Sequence, residues 1–374
     1  MNQNLVLLTQ DKARKLVDRY MEQDNKIQSA QDILDSGLIP PLKGFKVKPG
    51  KVSDSIFGGK VRYTDKKGQK VEYENPPLET KDGLPLRIMV RTQRISTHDI
   101  NRGEIPFKDQ VLAVNHNYMR ILLSSALGTS QFDVPGLGDN AIVIAAENLT
   151  QIPFENVLRA YMAKSSTSTS LYQHYIKGER SFCGHELPEG LVTNGPLPYV
   201  MDTPSTKSEE HDESVSPEQL FQRGICTQEQ YIQIRNSSIF AFGVVSQFLR
   251  ERGLIAVDTK TEHGINKRGE IVSQDEIWTM DSSRFWLLDD YNEQLRKLND
   301  GKIKEINPKS YSKEFARGFS EGELGYTYEQ RVHIAVRYIE GIQHLLGRRF
   351  EPDMRSSEKR IVSGIENIIN QLVA

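Results

Sequence analysis

Apolar residues in this chain recur at two intervals, and each interval predicts its own kind of element. Behind Thr9, a residue suited to capping a helix, Ala13, Leu16, Val17 and Tyr20 follow the helical period and predict an added surface helix. Pro217 to Arg252 is helical by pattern, with Ile239, Phe242, Val245, Phe248 and Leu249 on a buried stripe. Asn115 to Leu123 reads as a shorter helix. Val332, Ala335, Val336, Ile339 and Ile342 mark another, ended by Gly347. After Pro352 a last helix carries Ile361, Ile365, Ile368, Ile369 and Leu372, a stripe suited to packing. Continuous apolar runs at Leu86-Arg-Ile-Met-Val-Arg91 and Ala141-Ile-Val-Ile-Ala-Ala146 predict buried strands. Pro40-Pro41 and Gly44 break the chain ahead of them, and there is no internal repeat.

The most informative pattern runs from Leu254 to Trp286. Ile255, Val257 and Thr259 alternate with Asp258, Lys260 and Glu262, so three ionisable groups line one side of a single strand. Gly264 and Asn266-Lys-Arg-Gly269 supply turn chemistry, and Ile271 and Val272 restart an extended run towards Asp275 and Glu276. A two-residue loop at Arg268-Gly269 puts Glu262 opposite Asp275; a longer loop with a glycine bulge shifts the pairing by about one residue. Facing carboxylates destabilise a sheet by roughly 0.2–1 kcal/mol unless a cation joins them. Magnesium beside a nucleotide is one such cation. A solvated hairpin with a charged outer face is the plainer alternative.

Composition narrows the class. A chain of 374 residues with 37% hydrophobic and 26% charged residues can bury a large core and is expected to form two lobes or domains. A formal charge of −2 argues against a general polyanion binder, so nucleic acid is not an expected partner. No apolar run approaches a membrane span and the N-terminus does not resemble a signal peptide, so a cytoplasmic location without membrane insertion is expected. Cys183 and Cys226 are too few for a disulfide framework, and Cys183 with His185 could supply two metal ligands at most.

Other stretches carry chemistry on their own residues. In Phe57-Gly-Gly-Lys-Val-Arg-Tyr63, glycines beside Lys60 and Arg62 could let backbone amides and two cations approach a triphosphate, although a basic turn is the simpler reading. The Ser165 to Ser170 run places hydroxyls near Arg159, which suits a phosphate monoester and equally a flexible loop. Asp202 to Ser216 has the composition of a linker.

Asp258-Thr-Lys-Thr-Glu-His-Gly264 followed by Asp275-Glu-Ile-Trp-Thr-Met-Asp-Ser-Ser-Arg-Phe-Trp286 closely resembles the signature of the phosphoribosylaminoimidazole-succinocarboxamide synthases (SAICAR synthetases), ligases of purine biosynthesis. Gly-Lys-Val-Arg at 59–62, Arg94 to Lys108, Ile152-Pro-Phe-Glu155, Arg159-Ala-Tyr161, Leu187 to Leu191, Asp202 to Ser216 and Tyr311 to Arg317 are similar to further family passages. The resemblance spans residues 55 to 350. It implies an α+β fold of two lobes, an antiparallel-sheet nucleotide lobe related to ATP-grasp enzymes and a mixed α/β lobe. The expected boundaries are an N-terminal extension at 1–50, the nucleotide lobe at 51–153, the substrate and catalytic lobe at 154–350 and a C-terminal helix at 351–374.

The activity implied is ATP-dependent joining of carboxyaminoimidazole ribotide (CAIR) to L-aspartate through an acyl phosphate, with Mg2+ as cofactor. Glu262 and Asp275 are assigned to the metal, and Lys60, Arg62 and the Ile152 backbone to ATP along with the two carboxylates. Lys260 goes to the reacting groups, where Glu262 and Asp275 join it as catalytic residues. Arg159, Arg284 and Ser170, with Ser165 as its alternative, go to the ribotide. Arg94, Ser96, Asp99, Asp258 and Ser283 complete the substrate set, and Lys207 and Asp212 are assigned to the aspartate side. A homo-oligomer is left open. Departures from the family pattern at Tyr63, Gln93, His98, Asn148 and His263 keep two alternatives in view: a ligase for another amine or carboxylate, and a non-catalytic nucleotide-binding regulator.

Overall fold

Helix starts follow capping chemistry. Thr9 accepts a hydrogen bond from the Lys12 amide, while Ser216, Thr227 and Thr327 each close a capping box with the glutamine three residues on. The computed structural model describes residues 7–23, 29–65, 68–98, 100–167, 170–207, 212–322 and 324–373. In chain order its elements are α1 (Gln10–Glu22), α2 (Ala30–Asp35), β1 (Ser53–Phe57), β2 (Gly59–Thr64), β3 (Lys70–Asn75), β4 (Leu86–Arg91), β5 (Arg94–Thr97), β6 (Ile100–Glu104), α3 (Lys108–Leu122), β7 (Val143–Glu147), β8 (Thr150–Tyr161) and α4 (Leu171–Ile176). There follow β9 (Ser181–Phe182), β10 (His185–Glu186), β11 (Pro196–Asp202), β12 (Ser205–Thr206), α5 (Pro217–Gln222), α6 (Gln228–Arg250), β13 (Leu254–Ile265), β14 (Ile271–Gln274), β15 (Ser283–Leu287), α7 (Leu288–Asn299), α8 (Glu314–Arg317), α9 (Tyr328–Leu346) and α10 (Ser357–Leu372).

Two antiparallel sheets organise two lobes. The smaller has the order β1-β4-β7 and is two-faced. Ile56, Ile88, Val90, Val143 and Ala145 pack against α2 and α10, while Ser55, Arg87, Met89, Arg91, Ile144 and Ala146 alternate onto the other face. The C-terminal stripe is therefore packing, with Ile361, Ile365 and Ile368 buried in this core. Mid-helix Gly364 is explained by the same contact, since a Cβ there would lie 2.8 Å from Val143 Cγ2. The larger sheet runs β11-β8-β13-β14, with β12 on β8 and β15 on β13. Ala241, Phe242, Val245 and Leu249 of α6 join α3 and α9 in the main core, together with Leu254, Ala256 and Phe285 of the sheet.

Three expectations are corrected here. The first helix is no surface addition: Ala13, Val17 and Tyr20 enter the main core, and the Tyr20 hydroxyl accepts from Gln93 at 2.7 Å and from Arg360 at 3.1 Å, tying α1 to α10. The stretch from Pro217 to Arg252 is two helices, because Gly224 at φ 66° turns the chain between α5 and α6. The boundary at residue 153 falls inside β8, one uninterrupted strand of the larger sheet, and α3 packs with that lobe's core although it lies within 51–153. Packing, not chain order, defines the lobes.

Candidate functional site

β13 is the inner strand that gathers the site, because alternate positions send Asp258, Lys260 and Glu262 to one face. On neighbouring strands Arg159 and Arg284 both lie directly opposite Asp258. The result is a cross-strand row of guanidinium, carboxylate and guanidinium. Arg284 Nε donates to both Asp258 oxygens at 2.9 and 3.0 Å, Arg159 Nη1 donates at 3.3 Å, and Arg159 Nε donates to the Thr203 hydroxyl at 2.9 Å. Burial pushes the Asp258 carboxyl up, but Arg284 and then Arg159 outweigh it and hold it below its ordinary range. Arg317, whose charge also reaches Asp258, keeps a buried Nε without a partner among the described residues. With more guanidinium than carboxylate, the row can take an anion.

The same face continues into a cluster of lysines and carboxylates. Lys260 Nζ bonds Glu155 and lies 3.5 Å from Glu262, and Lys207 Nζ bonds the other Glu262 oxygen. Ile265 pairs with Ile271, so the hairpin uses the longer loop and Glu262 faces Gln274, with Asp275 one residue beyond. Asp275 turns off the strand at φ 56° and takes Arg87 at 3.3 Å. Burial opposes its ionisation, yet Arg87, followed by Lys207, Lys260 and Arg91, holds its carboxyl below the ordinary range. Glu262 and Asp275 therefore share the field of the same two lysines. Among the described residues no group of three or more His, Cys, Asp or Glu could hold a metal alone. Two carboxylates nevertheless suit Mg2+, which takes hard oxygen ligands and normally completes its shell with phosphate and water.

Other expected residues are placed differently. Arg94 does not join the arginine row: it is held by Asp54 at 2.5 Å and the Gly50 carbonyl at 3.0 Å, beside a cavity of about 70 Å³ that reaches Ser29 and Ser357. Asp99, which could have paired with it, lies outside the described residues. Ser283 is turned to the opposite face, where its hydroxyl meets Thr259 at 2.8 Å in the interior. Ser170 caps α4 by accepting the Gln173 amide at 3.3 Å, and Ser165 accepts the Thr167 amide at 3.2 Å, so both hydroxyls have local work. Ser96 is buried on β5, and just beyond that strand His98 meets the Ser166 hydroxyl at 2.9 Å. Lys60 is exposed on β2, and Arg62 pairs with Glu72 across the β2–β3 hairpin at 2.9 Å. Gly59 adopts φ 85°, and a Cβ on Gly58 would lie 2.6 Å from the Leu78 amide nitrogen, so both glycines have structural reasons. Ile152 buries its side chain with Phe154 and Val215. Asp212 is exposed beyond residues 208–211, which lie outside the described residues.

Sequence reasoning missed Glu155, Arg87, Arg91 and Glu276. Arg91 Nη1 lies 3.7 Å from Glu276. The signal was present: two arginines four apart in an otherwise apolar strand must share a face and need a partner there. It also missed Lys313, whose ammonium is pushed down to about 8 by burial, with Lys108 and Arg317 nearby, against the pull of Asp281. His116 is a third kind of omission. Its Nδ1 accepts the Ile277 amide at 3.2 Å, so Nε2 carries the hydrogen and donates to Gln131 at 2.8 Å. The turn bearing Asp275 and Glu276 thus hangs on a neutral imidazole.

Burial pushes His116 down to about 3 and His263 down to about 4. An unfolded histidine titrates near ~6.5, so between these limits the unfolded chain binds more protons and stability rises with pH. Stability is therefore expected to be lost as pH falls from about 6.5 towards 4, by up to a few kcal/mol per residue. Thermal melts across this range are expected to show a shallower decline in His263→Asn than in the parent; equal slopes would contradict the assignment.

Comparison with known proteins bears on the family and the fold. Residues 79–331 match the family model of SAICAR synthetase. The chain is 37% identical over 256 residues to the chloroplastic phosphoribosylaminoimidazole-succinocarboxamide synthase of Arabidopsis thaliana, covering 67% of this chain and 58% of that protein. It is 35% identical over 246 residues to the corresponding Legionella pneumophila (strain Paris) synthase, covering 66% and 75%. Its fold is that of the Saccharomyces cerevisiae SAICAR synthase complexed with SAICAR, at TM-score 0.63, 23% identity and coverage of 83% and 98%. A SAICAR synthetase solved with ADP superposes at TM-score 0.56, with 19% identity and coverage of 82% and 100%.

Proposed function

The chain belongs to the SAICAR synthetase family, and from that premise we propose that it joins CAIR to L-aspartate at the expense of ATP, giving SAICAR, ADP and phosphate. Ligase function of this general type, in purine biosynthesis, follows from the family. The observation that carries the finer reading is β13, which presents Asp258 to two arginines and, on the same face, Lys260 and Glu262 to the lysine and carboxylate cluster. One end suits an anionic ribotide and the other a magnesium nucleotide.

A carboxylate resists amine attack because it is anionic and its leaving group would be oxide. Transfer of the γ-phosphoryl group to a CAIR carboxylate oxygen breaks the bond to ADP and forms an acyl phosphate. The aspartate amine then attacks the carbonyl carbon, the C–O bond to phosphate breaks, and the amine loses a proton. Such chemistry is mainly positioning and charge neutralisation. Glu262 and Asp275 would hold Mg2+, which neutralises the phosphates when bound. Arg159, Arg284 and Arg317 orient the ribotide by their guanidinium forks, and Lys260 stabilises charge on the transferring group. Lys60 and Arg62 approach ATP from the β2–β3 hairpin.

Lys207 is assigned to one carboxylate of L-aspartate, with Asp212 beside the incoming amine. Lys207→Ala is expected to raise KM for aspartate by about 10-fold or more, the value of one charged hydrogen bond, while KM for ATP changes little. Steady-state kinetics with each substrate varied tests this; an unchanged aspartate KM would remove Lys207 from the site. The whole reading is tested by mass spectrometry of a mixture of CAIR, L-aspartate and MgATP, where the product is the condensate of the two substrates less water. A product only with a different amine would favour the alternative ligase, and nucleotide binding without product the regulator.

A further inference from the structure

We infer that Arg87 is a phosphate-binding residue for the nucleotide, held on Asp275 until that carboxylate is taken by a metal ion. The inference rests on the reading of Asp275 as a metal ligand.

Arg87 stands where the two halves of a nucleotide site would meet. It lies directly opposite Phe57 in the β1–β4 register, so it is the cross-strand neighbour of the residue that enters Gly58-Gly59-Lys60. Its side chain leaves the sheet on the face away from α2 and α10, the face that also carries Met89, Ile144 and Ala146, a small apolar cluster separate from both main cores. From there it reaches the larger lobe. Nε and Nη2 donate to Ser55 Oγ at 3.1 and 2.9 Å, and Nη2 lies 3.3 Å from Asp275 Oδ1. Nη1 makes no hydrogen bond to the described residues. Both groups remain partly open to solvent, with side-chain exposures of 23% and 32%.

Charge balance gives the contact its meaning. Four cations, Arg87, Arg91, Lys207 and Lys260, face four carboxylates, Glu155, Glu262, Asp275 and Glu276, so the cluster is neutral without ligands. An added triphosphate would find each cation already engaged, and an added divalent ion would find each carboxylate engaged. Taken together, the two ligands would exchange with the internal pairs: Asp275 would help hold the metal, and Arg87, freed from that carboxylate, would turn its fork to phosphate oxygens. Arg87 is the cation best placed for this exchange, because Lys260 keeps Glu155 whatever Glu262 takes, Lys207 is assigned to the aspartate substrate, and Arg91 is buried against Glu276. Its planar fork suits phosphate better than a lysine would. Metal and nucleotide should therefore bind with mutual assistance, each removing the other's competitor.

The test compares parent, Arg87→Gln and Asp275→Asn proteins of matched thermal stability. Binding of Mn2+ alone is followed by electron paramagnetic resonance, and binding of adenosine and of ATP with Mg2+ by calorimetry. Arg87→Gln removes the competitor for Asp275, so Mn2+ alone is expected to bind at least about 5-fold more tightly. The same variant should bind ATP about 10-fold more weakly, with adenosine unchanged, since the lost contact is to phosphate. These opposite shifts are not the signature of a residue that merely supports the fold. Unchanged Mn2+ affinity, or equal losses for adenosine and ATP, would overturn the inference. Asp275→Asn separates the premise from it. If that variant binds Mn2+ as the parent does, the metal assignment of Asp275 fails, and with it the exchange; if Mn2+ binding is lost while Arg87→Gln behaves as the parent, only the role of Arg87 fails.

Discussion

Asp275→Asn and Glu262→Gln are each expected to lower turnover by roughly 10²–10³-fold, the usual loss when one charge-stabilising group is removed from a transition state. Both amides keep the shape of the side chain and remove the charge that a divalent ion needs. Asparagine is also well suited to the left-handed backbone at position 275, where φ is 56°. The fold should survive in both variants. Glu262→Gln leaves Lys207 without its carboxylate partner and weakens the hold on Lys260, which keeps Glu155. Rates over a range of Mg2+ and ATP concentrations check the assignment. Metal-dependent turnover at the parent rate in both variants would remove these carboxylates from the metal site.

Arg284→Lys is expected to raise KM for the ribotide by about 10- to 100-fold although the charge is kept, the equivalent of ~1.5–3 kcal/mol for a charged hydrogen bond. Arg284 holds Asp258 through Nε and Nη2 while Nη1 donates to the Lys164 carbonyl at 3.1 Å, a fixed fork that an ammonium cannot reproduce. Burial would lower the Arg284 guanidinium, but Asp258 more than offsets it, so the group stays charged in the interior. Kinetics with the ribotide varied at saturating ATP provide the check, with thermal melting to confirm that the sheet is intact. An unchanged ribotide KM would exclude Arg284 from recognition.

How much of this was legible in the sequence depended on whether a residue's partner was near in the chain. Alternation along β13 placed Asp258, Lys260 and Glu262 on one face because period two is local geometry. The register of the hairpin needed the loop length, and residues 266–270 close it with a hydrogen bond donated by the Asn266 backbone N–H to the Glu270 carbonyl at 3.0 Å, which moves Asp275 one position past Glu262. The partners of Arg94, Arg87 and Glu155 were out of reach for a different reason. Asp54, Asp275 and Lys260 lie 40, 188 and 105 positions away, and only strand order brings them together. Ser283 shows the limit of motif matching: it adjoins Arg284 in sequence and therefore must point to the other face. The N-terminal helix showed a correct apolar stripe, but its destination in the main core was set by α3 and α9, which period alone does not reveal.

The central claim, that one face of β13 brings ATP, ribotide and aspartate into a single reaction, is tested most directly by measuring ADP release with each substrate omitted in turn. Rapid ADP formation is expected only when CAIR, L-aspartate and MgATP are all present, matched by an equal amount of condensed product. Equal ADP release with CAIR or aspartate left out, or no release with all three present, would contradict it.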